Sequence, residues 1–356
     1  MERFVHGGNI YEDTPADGWL DFSANINPLG LPASAQRAIA AHIGDVIHYP
    51  DPAARGLRSA LTAAFAVPQE AMVLGNGAAE LFYLFFQTFR PRHTILPVPS
   101  FSEYERSALA VGSSVTYFQL DPHEGFRLDA GKLLAALPEQ GCLVIGNPNN
   151  PTGTLLTRTG LLQLAVAAAA KKTWLLVDES FLDFLPDDAP YSLIDLAADT
   201  PYLFVIRSLT KFFALPGLRL GFGAASPEAV RAMERGKDVW NVNLLAQEAG
   251  VAALQDDGYA RASRALVAEE RRFLCGSLAG FPGVRVYPTQ VNFLLLDIRG
   301  TGLSSAALTA RMRREGVLIR DCGNYPGLDG RSYVRLAVRT HDENVELLER
   351  LETILV

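Results

Sequence analysis

Cysteine is scarce: among 356 residues there are three, Cys142, Cys275 and Cys322. An odd, widely spaced trio makes neither a disulfide framework nor the paired spacing of a zinc site, and it suits a reducing compartment. Long apolar runs are missing too. Nowhere do about eighteen apolar residues follow one another, and the Ala-rich stretch before Lys171 is too short to cross a bilayer. Positive charge is in deficit, with 32 Lys and Arg against 39 Asp and Glu and a net charge of −7. With no basic cluster to offset that balance, a nucleic-acid or membrane-surface role is disfavoured. The opening Met1-Glu2-Arg3-Phe4-Val5-His6-Gly7-Gly8 lacks the apolar segment of a secretory leader. These absences lead to the expectation of a cytoplasmic protein that binds neither membrane nor nucleic acid. Internal repeats, low-complexity tracts and an obvious flexible linker are lacking as well.

What is present suits a globular protein with a sizeable core, at 49% hydrophobic and 20% charged residues. The length exceeds one typical domain, so a large domain and a smaller one are expected. The first thirty residues, rich in Gly, Asn and Pro, read as an irregular arm. Pro32 opens a helix to His42, Tyr49-Pro50-Asp51-Pro52 makes a rigid extended turn, and a helix follows over 56–65. Strands and helices then alternate, the mark of an α/β domain with a largely parallel sheet. Strands are predicted at 72–74, 94–97, 114–119, 143–145, 174–177, 202–206 and 220–224, with helices at 78–89, 102–110 and 161–171. A long helical pattern covers 244–278, broken near Asp256-Asp257-Gly258. The last seventy residues alternate again, with strands at 284–287, 292–297, 317–320 and 333–338 and a helix at 305–315. A final helix has a capping box at Thr340-His341-Asp342-Glu343. The expected division is 1–43 as arm and helix joined to the small domain, 44–260 as the large domain and 261–356 as the small one.

The chemistry gathers around Ser208-Leu209-Thr210-Lys211, with Pro216-Gly217-Leu218-Arg219 following. An amine at the end of a core strand can form a Schiff base where its surroundings favour the neutral form. A hydroxyl and a guanidinium beside it suit a phosphate. Taken alone, S-x-x-K is better read as a surface lysine on a turn, so its companions decide. Leu74-Gly75-Asn76-Gly77-Ala78-Ala79-Glu80 passes from strand to helix and offers free N–H groups for a phosphate. Gly146-Asn147-Pro148-Asn149-Asn150-Pro151-Thr152-Gly153 places amides at a strand's carboxyl end, where ligands of open α/β sheets collect. Leu175-Leu176-Val177-Asp178-Glu179 ends a buried strand in an acid able to hold a proton on a pyridine nitrogen. Each also has a structural explanation: a helix start, a tight turn, a cap.

Taken together and in this order, they resemble the fold-type I pyridoxal-phosphate enzymes of the aspartate aminotransferase group. N-P-T-G and S-L-T-K-x-x-x-x-P-G-x-R-x-G are the specific motifs, and the likeness covers nearly the whole chain. It implies an α/β architecture, a large domain with a mostly parallel mixed sheet and a small C-terminal α/β domain joined by the N-terminal arm. It implies pyridoxal 5′-phosphate carried on Lys211, with Asp178 at the pyridine nitrogen and Asn150 at the ring hydroxyl. The Gly77 and Ala78 backbone, Ser208 and Arg219 are implied at the phosphate, and Phe101 against the ring. Tyr49 is implied to reach the neighbouring site of a homodimer. Arg335, in Tyr333-Val334-Arg335-Leu336, is implied to bind a substrate carboxylate; an apparent extra residue beforehand leaves Arg339 as the alternative.

Within that group, His6-Gly7-Gly8-Asn9, Ser23-Ala24-Asn25-Ile26-Asn27-Pro28-Leu29-Gly30 and Arg320-Asp321-Cys322-Gly323-Asn324-Tyr325-Pro326-Gly327-Leu328-Asp329 resemble the threonine-phosphate decarboxylases of cobalamin biosynthesis. Phe181 in Asp178-Glu179-Ser180-Phe181 agrees, since the aminotransferases usually carry a tyrosine there. The resemblance implies lyase activity on L-threonine O-3-phosphate, with His6, Gly7, Asn25, Asn150, Arg320 and Arg335 on the substrate. A phosphate and a carboxylate together call for two arginines and several neutral donors. The histidinol-phosphate aminotransferases are the alternative. No metal is expected.

Overall fold

The computed structural model describes residues 5–16 and 18–355. Residues 1–4, part of the opening octet inspected for a leader, lie outside the described set, as do 17 and 356. The strands are β1 (Leu20–Asp21), β2 (Met72–Asn76), β3 (His93–Val98), β4 (Ser114–Gln119), β5 (Cys142–Gly146), β6 (Trp174–Asp178), β7 (Leu203–Ser208), β8 (Leu220–Ala225), β9 (Arg285–Val286), β10 (Phe293–Asp297), β11 (Val317–Leu318), β12 (Arg320–Asp321) and β13 (Tyr333–Ala337). Seven of them form one sheet in the order β2-β8-β7-β6-β5-β3-β4. Five are parallel neighbours, and β8 is antiparallel to both β2 and β7. The central strands are continuous apolar runs because both faces are covered. Leu175 and Val177 of β6 pack in one apolar cluster and Leu176 in another, so the sheet divides two cores.

A second sheet, β12-β13-β10-β9, is antiparallel and has its own core around Leu294, Leu336 and Leu347. The stretch 317–320, expected as one strand, is two. Val317–Leu318 pairs in parallel with Leu20–Asp21 of the arm, and Arg320–Asp321 pairs with β13. The chain therefore changes partners at Ile319, which brings Arg320 directly opposite Arg335. The arm, expected to be irregular, contributes strand β1, while the following helix Ala33–His42 packs against the helix Leu244–Leu254.

The expected break at 256–258 lies earlier: Gln255 ends one helix, Asp256 caps the next through Tyr259 N, and Asp257 and Gly258 are helical. Glu343 reaches back to the Thr340 N–H at 3.1 Å, as the capping box requires. Helices Ala130–Ala136 and Pro227–Glu234 were not anticipated, although Asp129 and Ser226 cap them by the ordinary mechanism. Among the described residues no helix is long and apolar enough to cross a membrane, and no group of His, Cys, Asp and Glu is arranged to hold a metal ion.

Candidate active site

In a parallel sheet the carboxyl ends of neighbouring strands share one edge. Here Gly146 stands beside Asp178, and Asp178 beside Ile206. A cavity of about 400 Å³ opens beyond that edge and is closed on its far side by the small sheet and the arm. Lys211 enters it from the single helical turn Leu209–Phe212 that follows β7. Burial, helped by the charges of Arg335 and Arg219, pushes its amine down to about 8, while Asp178 pulls the other way. About a tenth of such amines are neutral at pH 7, against a few in ten thousand at an ordinary lysine pKa.

Asp178 is buried at the end of β6. Its Oδ2 accepts from the Tyr104 hydroxyl at 2.6 Å, and its Oδ1 from Ser180 N at 3.0 Å and from the Ser180 hydroxyl. Burial raises its carboxyl above the usual range, and the Ser180 and Tyr104 hydrogen bonds and the Lys211 charge pull it back only in part. Of the three asparagines after β5, two are structural. Asn147 bonds Leu156 and Tyr191 backbone, and Asn149 bonds the Pro99 carbonyl and Thr152. Asn150 alone of the three lines the cavity, with its Oδ1 accepting from Arg335 Nη1 at 2.5 Å.

The helix Ala78–Phe89 begins at Gly77 with no side chain capping it, so its first N–H groups are open to an anion. Gly77 has φ +77°, and a Cβ there would lie 2.3 Å from Arg219 Nη2; only glycine lets that guanidinium close over the helix start. Arg219 itself holds φ +62°, a strained setting for a residue other than glycine. Ser208 and Thr210 share a hydroxyl–hydroxyl bond of 2.8 Å beside them. Phe101 forms a wall of the cavity, 5.6 Å from Tyr104 in an edge-on contact. Tyr49 is the exception: it is 77% exposed and stacked on Trp240, and its own chain does not bring it to the cavity.

On the far wall Arg320 and Arg335 are both buried. Arg320 gives Nη2 to the Val5 carbonyl and to Asn324 Oδ1, each at 2.7 Å. Arg335 gives Nη2 to the Ser23 carbonyl at 2.7 Å, and its Nε is buried with no partner. Arg339 is occupied elsewhere, bonded to Glu343 at 2.5 Å. Asn25 lines the cavity, and its Oδ1 is a second buried atom without a partner. Gly7 lies against Ser23, where a Cβ would come 2.1 Å from the carbonyl oxygen, so the arm can run this close only as glycine. His6 turns its Nε2 to Glu103 Oε1 at 2.8 Å.

Several cavity residues escaped the sequence analysis. Ser180 follows Asp178 by two residues, a spacing that places a donor on the carboxylate, whereas Tyr104 reaches Asp178 from 74 positions away. Glu103 and Tyr325 carry no comparable signal.

The parts fit pyridoxal 5′-phosphate. An uncapped helix start under a guanidinium with adjoining hydroxyls suits its phosphate, a strand-end carboxylate its pyridine nitrogen, and a half-buried amine of lowered pKa its aldehyde. The chain is 38% identical to the threonine-phosphate decarboxylase of Salmonella typhimurium, over 99% of this chain and 96% of that one. Among solved structures it resembles the histidinol-phosphate aminotransferase of Clostridium acetobutylicum (TM-score 0.86, 31% identity, 94% of this chain and 98% of that one). It also resembles the L-threonine-O-3-phosphate decarboxylase of Porphyromonas gingivalis (TM-score 0.82, 27% identity, 94% and 99%). Residues 17–351 match the model of aminotransferase class I and II, so a lysine, an acid and a phosphate seat gathered at one sheet edge have their explanation: the chain belongs to the aminotransferase class I and II family.

Proposed function

We propose that the protein is a pyridoxal-phosphate-dependent carboxy-lyase that converts L-threonine O-3-phosphate to (R)-1-amino-2-propanol O-2-phosphate and CO₂, a step of cobalamin biosynthesis. The observation that carries this reading is the pair Arg320 and Arg335, opposite each other across β12 and β13 and both lining the cavity. Two buried guanidinia match a substrate with two separate anionic groups, a phosphate and a carboxylate. The named decarboxylase relative and Phe181 in the cavity wall support the same choice.

Lys211, Asp178, Asn150, Phe101, Ser208, Arg219 and the Gly77–Ala78 backbone would hold the cofactor. When bound, it supplies an electron sink for the pair left behind at Cα. Arg335 and Asn150 take the substrate carboxylate, while Arg320, His6, Asn25 and the Gly7 backbone take the phosphate. Fixing both anions sets rotation about the substrate's Cα and so selects which of its bonds is broken. The C–C bond breaks, CO₂ departs, and one proton is delivered to Cα; Lys211 is the group placed to carry it. The apolar side chains of Phe101 and Phe181 restrict water where the carboxylate leaves.

The functional unit of this reading is a homodimer, with Tyr49 serving the neighbouring site. Exposed Ile43, Val46, Ile47 and Trp240 accompany Tyr49 and suit burial against a second copy. Three unpaired cysteines suit the cytoplasm. The test is holoenzyme with O-phosphothreonine and no keto acid. CO₂ release supports the decarboxylase, whereas amino transfer from histidinol phosphate to 2-oxoglutarate without CO₂ release overturns it in favour of the aminotransferase.

A further inference from the structure

Glu103 is an unexpected neighbour for a substrate with two anionic groups. It is 6% exposed and lines a cavity whose other charged groups are mostly cationic. It lies in the first turn of the helix Ser102–Ala110, where an acid also suits the helix dipole. Yet both of its oxygens are engaged by side chains, two of them from outside that helix. Oε1 meets His6 Nε2 at 2.8 Å and Arg106 at 3.5 Å, and Oε2 accepts from the Tyr83 hydroxyl at 2.9 Å. Burial alone would raise its carboxyl; the bonds from His6 and Tyr83 and the charges of His6 and Arg106 outweigh that and hold it below its ordinary value. It is therefore a carboxylate at neutral pH.

Next to His6 the arm is tied by the Val5 carbonyl on Arg320 and Asn324, and by Gly8 N on the Ser23 hydroxyl at 2.7 Å. Its ring also lies 5.5 Å from that of Phe101. With Nε2 committed to Glu103, only Nδ1 is left to meet a ligand.

We propose that Glu103 is a positioning residue for the phosphate end of the site, holding the His6 ring as an imidazolium between two anions, with Nε2–H on Glu103 and Nδ1–H donated to a phosphoryl oxygen of the substrate. The proposal rests on the functional reading above. In this arrangement Glu103 acts through His6, to which its Oε1 is bonded. Its loss therefore weakens binding of the phosphorylated substrate and leaves the chemical step alone.

The test is a double-mutant cycle on holoenzyme with O-phosphothreonine: Glu103→Ala, His6→Ala and the pair, with Glu103→Gln as the isosteric variant. Bound-cofactor absorbance and melting temperature report an intact fold. Expected is a KM increase of about tenfold to a hundredfold for Glu103→Ala, the range of one charge-assisted hydrogen bond, with kcat within about twofold. Glu103→Gln, which keeps an acceptor for Nε2–H, should show a smaller increase. In the His6→Ala background, removing Glu103 should add nothing. An unchanged KM in Glu103→Ala, or the same loss with and without His6, overturns the proposal. If Glu103→Ala does not fold, Glu103→Gln decides through the same cycle. A wild type that releases no CO₂ sinks the functional reading instead, and the cycle read on the Kd of inorganic phosphate for the holoenzyme still decides the role of Glu103.

Discussion

Two buried arginines, Arg207 and Arg335, face opposite fates. Arg207 is 0% exposed on β7, sharing alternation with Leu203 and Val205. All of its donor nitrogens are used: Nε on Glu179 at 2.9 Å, Nη1 on Asp183 at 2.8 Å, and Nη2 on Asp188 at 2.7 Å. Glu179 in turn takes the Ser192 hydroxyl and Leu193 N, so the loop after β6 is tied down around one cation. Arg335 is as deeply placed but keeps an unpaired Nε and faces the cavity. A buried charge with every partner present belongs to the structure, whereas one short of a partner at a cavity wall has a donor free to meet a ligand. The same division separates neighbours in the chain: Glu179 ties down the loop after β6, and Asp178, one residue earlier, lines the cavity.

That contrast can be broken most forcefully at Arg207. Arg207→Ala leaves buried Glu179 and Asp183 uncompensated and should cost about 3–5 kcal/mol of stability, read as a lowered urea midpoint. Arg335→Ala should do the reverse, costing about 1 kcal/mol of stability or less but about a hundredfold in kcat/KM through lost substrate placement. Comparable destabilisation by the two would erase the distinction. Lys211 sharpens it next. Its amine is pushed to about 8, so apoprotein should capture pyridoxal phosphate at a rate that rises about tenfold per pH unit below 8 and levels off above it. A rate still climbing toward pH 10 would place the amine at its ordinary value. The smallest effect is expected from Ser180→Ala. The Ser180 hydroxyl bond lowers the Asp178 carboxyl against burial; the substitution removes it and keeps the backbone N–H bond, so the carboxyl rises and the acid limb of the pH–rate profile should move to higher pH. At pH 7 the loss should be a few-fold, about 1 kcal/mol.

Legibility in the sequence followed the range of the interaction. The apolar runs of β5, β6 and β7 and the residues ending them, Asn150, Asp178, Ser208 and Lys211, could be read because parallel strands bring their carboxyl ends to a common edge. The strand change at Ile319 could not, because the apolar run 317–319 continues into Arg320 without a turn residue and says nothing about which partner each half takes. Tyr104 on Asp178 spans 74 positions and His6 on Glu103 spans 97. No local period encodes contacts of that separation.

The sequence by itself determined that this is an α/β protein with a lysine, an acid and a glycine-led helix start in order, because strand alternation, glycines and strand-end polar residues are local signals. Only the tertiary structure decided that Arg320 stands opposite Arg335, that Arg339 is turned away to Glu343, and that His6 is held by a carboxylate. Those outcomes depend on strand register and on how the arm crosses the cavity, and both are set by burial summed over the whole chain.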